Sequence, residues 1–94
     1  MDIKVISKSD KELILEIHGE DHTLGNMIMK EALRHPAVNY AAYRVLHPLK
    51  DVIEIFIVTK EGVDVSSVLR EVINRLRDEL REFVEVVNEV LKDQ

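Results

Sequence analysis

Apolar and polar positions alternate in the first part of the chain and take on a helical period in the last part. Apolar residues recur from Ile3 to Ile6 and from Leu13 to Ile17, with the polar stretch 7–11 between them. This pattern predicts an opening β-hairpin. The segments Val38–Leu46 and Val52–Thr59 are rich in β-branched and aromatic residues, and we expect them to form the third and fourth strands.

Two helices are predicted from the same pattern. The first runs from Thr23, whose side-chain oxygen suits the cap position, to about Arg34. The second runs from Val65 to about Lys92 without glycine or proline, with Asp64 or Ser66 as its cap. The order ββαββα predicts an α+β fold, in which a small four-stranded, mostly antiparallel sheet carries both helices on one face. We expect a single domain over residues 1–94.

The second predicted helix is amphipathic along its whole length. At 100° per residue, its apolar residues fall within an arc of about 160°. About 28 helical residues extend about 42 Å, whereas strands of about seven residues extend only about 23 Å. The sheet is therefore too short to cover the apolar stripe, which predicts an interface with a second polypeptide. The alternative is that the helix bends or frays after Leu80 and packs locally.

Glu79 is the one charged residue that projects into this apolar arc. Desolvation of a carboxylate is costly unless it has a partner. Two interpretations stay open: Glu79 lies at the rim and pairs with Arg75, or it forms an ion pair across the interface.

The first predicted helix is apolar over an even wider arc, about 240° by the same projection. A helix that is apolar so far round is buried on two sides. We expect the sheet to cover one side, and either the second helix or a foreign chain to cover the other.

Composition limits the classes of function. The net charge of −5 argues against a protein that holds nucleic acid by itself, because neutralising phosphates requires clustered Lys and Arg. The absence of cysteine excludes disulfides and thiolate metal sites. The first residues contain neither a basic region nor a long apolar run, so we expect no signal peptide, no membrane association and a cytoplasmic location.

Residues with catalytic or metal-binding chemistry occur without the required spacing. The segment 18–22 contains two histidines and two carboxylates, but no third His or Cys follows at the distance that zinc sites use. Ser66 and Ser67 have only the distant His35 and His47 as candidate bases, and serine at a helix start is more often a cap. No glycine-rich phosphate loop is present. We therefore expect no catalytic residue, no metal and no cofactor.

The run Asp21-His22-Thr23-Leu24-Gly25-Asn26 is the most distinctive segment. By itself it reads as a capped helix start in which Gly25 lets another group approach closely. It resembles the signature of the small alpha-like subunits of multisubunit RNA polymerases, a family that includes archaeal subunit L, its eukaryotic counterparts and, more remotely, the amino-terminal domain of bacterial alpha. Ala41-Ala42-Tyr43 resembles the family's Ala-Gly-Tyr element, with Ala42 in place of the usual glycine, and His47-Pro48-Leu49 resembles its His-Pro element.

This resemblance covers nearly the whole chain from about Glu12 onward and implies a non-catalytic role. In that family the small subunit forms a heterodimer with a larger alpha-like subunit, and the heterodimer is the platform on which the two large catalytic subunits assemble. We expect the turn 21–26 to meet the larger alpha-like subunit or a large subunit. The residues expected at the partner interface are Leu24, Met27, Ile28, Val72, Leu76, Leu80, Phe83, Val87 and Val90.

Two other classes of function compete with this interpretation. A self-associating α+β domain would use its helices in a symmetric homodimer. A nucleic-acid-binding module would need a platform of exposed aromatic and basic residues on the sheet. For such a platform the sequence offers only Tyr40, Tyr43 and Arg44.

Overall fold

The computed structural model describes residues 2–20 and 22–91, and within these ranges it leaves the side chains of residues 48, 79, 80, 82–88, 90 and 91 undescribed. The element order ββαββα is confirmed. A single 3₁₀ turn between the third and fourth strands was not predicted. The elements are β1 (Asp2–Lys8), β2 (Glu12–His18), α1 (His22–Arg34), β3 (Val38–His47), the 3₁₀ turn (Pro48–Lys50), β4 (Val52–Thr59) and α2 (Val65–Leu91).

The four strands form one sheet in the order β1-β2-β4-β3, and all three pairings are antiparallel. Residues of β2 and β4 alternate between buried and half-buried positions. Their buried side chains share one face, because directly paired residues of antiparallel strands point to the same side. Leu15 pairs with Ile55, and Ile55 also pairs with Tyr43 on β3, so these residues form one row across the helix-covered face.

The hydrophobic core lies between this face and the two helices. From α1 it takes Ile28 and Ala32, one helical turn apart, and from α2 it takes residues spaced three or four apart. The core residues contributed by α2 are Val65, Val68, Val72 and Leu76.

The described core residues of α2 all lie in the first half of the helix. At 27 residues the helix extends about 40 Å, whereas the eight residues of β4 extend about 27 Å. Beyond Leu76 the described side chains of α2 are exposed, namely Arg77, Asp78, Arg81 and Glu89. Over the bounds given above, α2 is therefore longer than β4.

Asp64 caps α2, and Ser66 does not. The Asp64 Oδ2 accepts hydrogen bonds from the Ser67 amide at 3.2 Å and from the Ser67 hydroxyl at 3.0 Å. These bonds favour the carboxylate form, so the pKa of Asp64 lies below its ordinary value. The backbone amide of Val65 is also tied to the β1–β2 turn, because it donates to the carbonyl of Asp10 at 2.7 Å.

The start of α1 differs from the prediction. The helix begins at His22, so Thr23 lies inside the first turn and does not occupy the cap position. A residue in the first turn already has helical backbone angles, whereas a cap residue does not. Asp21, which precedes the helix, lies outside the described residues.

Candidate subunit interface

An apolar groove opens between β1 and α2 on the helix-covered side of the sheet. It encloses about 310 Å³. Every lining residue is a leucine or an isoleucine, which is the composition of a surface built to be covered. We call this surface the apolar groove; its lining residues are Ile3, Leu15, Ile17, Leu24, Ile28, Ile55, Leu69 and Ile73.

The outer wall of the groove is the edge strand β1. Ile3 pairs with Ile17 and Val5 with Leu15, so Ile3 and Val5 point to the same face as the core residues. They nevertheless remain 56% and 60% exposed, because the two helices lie over the other strands. On α2, Ile73 is 37% exposed beside them. The fold therefore leaves apolar side chains of β1 and α2 facing an open channel.

The predicted interface residues fall into three groups. Ile28, Val72 and Leu76 lie within the chain's own core, with at most 8% of each residue exposed, and so offer a partner little surface. Leu24 and Met27 are half-buried and keep an accessible side. Four predicted residues, Leu80, Phe83, Val87 and Val90, belong to the helical backbone of α2, but their side chains lie outside the described part of the structure. Their contact with a partner stays a prediction.

The Gly25 position of the signature run is explained by contact with Tyr43. The Tyr43 side chain lies directly against the backbone of α1 at Gly25: a Cβ atom on residue 25 would be 2.6 Å from Tyr43 Cδ2 and 2.8 Å from Tyr43 Cγ. Carbon atoms in ordinary contact are about 3.5–4.0 Å apart. Gly25 thus sets how closely α1 approaches β3, and with it the position of Leu24 and Ile28 in the groove.

The His-Pro element lies at the same corner of the fold. His47 ends β3, and Pro48 opens the 3₁₀ turn, which closes at Asp51 with a left-handed backbone (φ 51°). The Asp51 carbonyl accepts hydrogen bonds from the amides of Gly19 at 2.8 Å and Glu20 at 3.1 Å. The 3₁₀ turn therefore holds the loop from which α1 starts, and the separate sequence elements meet at one corner.

The signature residues differ in exposure. Leu24 and Asn26 are half-buried and Gly25 is buried, whereas His22, Thr23 and His47 are exposed. Ala42, which replaces the usual glycine of the Ala-Gly-Tyr element, pairs with Phe56 in a regular stretch of β3. Among the described residues other than glycine, only Asp51 has a positive φ. The substitution at Ala42 therefore introduces no left-handed backbone.

The opposite face of the sheet does not assemble the aromatic and basic platform considered above. Tyr43 points to the helix side. On the open face, Arg44 forms a bidentate ion pair with Glu54 at 2.9 and 3.3 Å, and the Tyr40 ring packs edge-on against Phe56. The Glu54 carboxylate raises the pKa of Arg44 by hydrogen bonding and charge. Because Glu54 neutralises Arg44, this face offers little to attract a phosphate backbone.

Sequence reasoning missed two parts of the surface around the helices. Alternation of Ile3 and Val5 along β1 was a signal that both face the helices, although only the sheet order shows that no helix covers them. Glu31 is buried in α1. It follows Leu24 and Ile28 at the spacing of one helix face, a signal that went unused.

The described part of the chain contains neither a cluster of metal-ligand residues nor a helix that could span a membrane. Over residues 2–20 and 22–91, the side chains that are described include no group of three His, Cys, Asp or Glu residues able to hold a metal ion. Neither described helix combines the length and the apolar character needed to cross a membrane.

The sequence is similar to a known protein family and to individual members of RNA polymerases. The family described as the RNA polymerase Rpb3/Rpb11 dimerisation domain matches residues 12–86. The chain is 36% identical over 92 residues to the DNA-directed RNA polymerase subunit Rpo11 of Methanococcoides burtonii, covering 98% of this chain and 100% of that one. It is 34% identical over 90 residues to Rpo11 of Sulfolobus acidocaldarius, covering 96% and 100%.

A solved structure shares the fold. The crystal structure of DNA-directed RNA polymerase subunit L from Thermoplasma acidophilum matches with a TM-score of 0.79 at 23% identity, covering 98% of this chain and 90% of that one. The sequence matches extend over most of each chain, and the family match covers β2, β3, β4, α1 and most of α2. The chain therefore belongs to the RNA polymerase Rpb3/Rpb11 dimerisation-domain family and is a subunit of a DNA-directed RNA polymerase.

Proposed function

We propose that this chain is the small, non-catalytic member of a heterodimer with the larger alpha-like polymerase subunit, and that the heterodimer is the platform on which the large catalytic subunits assemble. We place this role in the cytoplasm. The observation that carries the proposal is the apolar groove, an all-aliphatic channel left open beside α2 in a chain of the dimerisation-domain family.

The physical argument rests on solvation. Ile3 and Ile73 in the groove, and Val5 beside it on β1, leave apolar surface in water. Burying one such side chain is worth about 1.5–3 kcal/mol. A partner that inserts apolar side chains between β1 and α2 would gain this free energy. The sequence pattern extends the proposed seam along α2 beyond Leu76 to Leu80, Phe83, Val87 and Val90.

Co-expression tests the proposal directly. The tagged chain is produced together with the larger alpha-like subunit of a related archaeal polymerase, and the mass of the co-purified species is measured by light scattering. We expect a one-to-one complex. Ile73→Asp places a charge in the groove, and we expect it to weaken the complex at least about 100-fold, because both the lost burial and the desolvated carboxylate act against binding.

A matched control separates the groove from general surface hydrophobicity. Leu33 is also an exposed aliphatic residue, 53% accessible, but it does not line the groove. Leu33→Asp should leave the complex intact. The proposal would be refuted if the native chain forms a tight homodimer and does not bind the larger subunit. If Ile73→Asp and Leu33→Asp weaken the complex equally, the groove is not the binding surface.

A further inference from the structure

A second cavity lies on the far side of the helix pair from the apolar groove. It occupies about 300 Å³ between the last turn of α1 and the first half of α2. Leu69 and Ile73 line the groove from one flank of α2, whereas Glu71 and Arg75 line the cavity from the opposite flank. Unlike the groove, this cavity is surrounded by charged side chains.

Glu31 is the residue that the fold leaves incompletely bonded in this cavity. Only 3% of its side chain is exposed. Its Oε2 accepts a hydrogen bond of 3.3 Å from Arg34 Nη1. The Nε of Arg75 stands 3.8 Å from Oε1, which is beyond hydrogen-bonding distance. Among the described residues, Oε1 is the one buried carboxylate oxygen without a hydrogen-bond partner.

The other carboxylate of the cavity is already engaged. The Nδ1 of His35 accepts a hydrogen bond from the Ala37 amide at 3.1 Å, so the ring proton lies on Nε2 and is directed at Glu71 Oε2. Glu71 is also 66% exposed and keeps contact with water. Of the two carboxylates in the cavity, only Glu31 therefore has a buried oxygen without a hydrogen-bond donor.

A buried carboxylate oxygen that accepts no hydrogen bond is costly in free energy. A cationic donor satisfies both the charge and the free oxygen, whereas a water molecule satisfies only the oxygen. Arg34 and Arg75 have side chains 66% and 70% exposed, so they lie over the cavity without filling it. The cavity has about ten times the volume that one water molecule occupies in the liquid, enough for the end of a lysine or arginine side chain.

We propose that Glu31 receives a lysine or arginine side chain of the partner subunit through this cavity, forming a buried ion pair across the interface. The inference rests on the proposed function, since the cation comes from the same heterodimer partner. The cavity and the groove are separate but are built on the same two helices: Leu24 and Ile28 of α1 line the groove, and Glu31, about one turn after Ile28, lines the cavity. The two interpretations of Glu79 stay open, because its side chain lies outside the described part of the structure.

The test measures the dissociation constant of the heterodimer for two variants. Glu31→Gln keeps the shape and an acceptor oxygen but removes the charge, and we expect affinity to fall about tenfold to a hundredfold. Arg75→Ala removes the cation of the chain itself that stands nearest the unbonded Oε1 and leaves Arg34 in place, so we expect affinity to be unchanged or higher. The affinity of the Glu31→Gln heterodimer should also depend less steeply on salt concentration than that of the native heterodimer.

The opposite results would overturn the inference. If Glu31 pairs only with Arg75, Glu31→Gln leaves the affinity unchanged and both variants lower the melting temperature of the full chain, with non-additive effects. A cavity that holds only solvent also gives an unchanged affinity for Glu31→Gln. A tenfold loss on Arg75→Ala would contradict the proposal independently, and this exposed residue is a safe position to change.

Two controls keep the inference separate from the proposed function. Glu71→Gln removes a carboxylate from the same cavity, and we expect less than about a threefold effect because the lost ion pair is solvent-exposed. An equal effect of the Glu31 and Glu71 variants would indicate general electrostatics and overturn the proposal. If the native chain binds the partner and Glu31→Gln binds equally well, only the ion pair fails; if the native chain does not bind, the proposed function itself fails.

Discussion

Substitution of Gly25 by alanine tests the contact that sets the spacing of α1 and β3. In an isolated helix the change would stabilise, because alanine exceeds glycine in helix propensity by about 1 kcal/mol. Here the new methyl group would lie 2.6 Å from Tyr43 Cδ2, about 1 Å inside ordinary carbon contact. Overpacking costs about 1–3 kcal/mol, and we expect about 2–3 kcal/mol here because two ring atoms would lie closer than 3 Å to the new methyl group. We expect a net loss of about 1–2 kcal/mol, which corresponds to a fall in melting temperature of roughly 4–16 °C.

The assay is a double-mutant cycle followed by urea and thermal denaturation. When Tyr43 is also replaced by alanine, the obstacle is removed, and Gly25→Ala should stabilise the chain by about 1 kcal/mol. The sign of the effect therefore reverses between the two backgrounds, with a coupling energy of about 2–3 kcal/mol. The same displacement of α1 should weaken binding of the larger alpha-like subunit. An effect of Gly25→Ala that is the same with and without the Tyr43 ring would refute the reasoning.

Three further predictions concern stability. Hydrogen bonds from Ser67 lower the pKa of Asp64 from its ordinary value of 3.8. The Asp64 carboxylate therefore stabilises the fold at pH values above 3.8, and this stabilisation is lost as the pH falls through the folded-state pKa. Asp64→Ala should therefore melt below the native chain at neutral pH and approach it in acid; a gap that persists at about pH 1 would contradict the cap. Ile55→Ala, at a residue 1% exposed in the centre of the core, should cost about 2–5 kcal/mol in urea denaturation, and a loss below about 1 kcal/mol would show that the site collapses. At Asp51 the backbone φ is 51°, a conformation that glycine adopts without strain and valine does not. Asp51→Val should therefore destabilise the fold by about 1–2 kcal/mol, whereas Asp51→Gly should be neutral or mildly stabilising. Equal melting temperatures of the two variants would show that the left-handed backbone is not required.

The strands and helices followed closely from local patterns. The apolar segments that predicted β2 and β4 contain core residues, and Leu13, Ile55 and Ile57 are buried. The helical period of α2 indicated the face that Val65, Val68 and Val72 turn to the sheet. These features depend on residues close in sequence, so they are readable without the fold.

The start of α1 shows where local rules were insufficient. Thr23 is a good cap residue by type, yet the helix begins at His22. The Asp51 carbonyl binds the amides of Gly19 and Glu20, and this contact, more than thirty residues away in sequence, holds the segment from which α1 starts. The 3₁₀ turn that supplies the carbonyl was equally invisible in the pattern.

By itself the sequence determined the order of elements, the amphipathic character of α2, the mismatch between helix and sheet length, and, through its signature run, the family. Only the tertiary structure decided which apolar residues remain available to a partner. Ile28 and Val72 are buried in the core, whereas Ile3 and Val5 are exposed because β1 is an edge strand that no helix covers. It also decided that Gly25 faces Tyr43 and that Glu31 is buried with an unbonded oxygen. Periodicity specifies the face of an element on which a residue lies. What covers that face depends on contacts between segments distant in sequence, and those exist only in the folded chain.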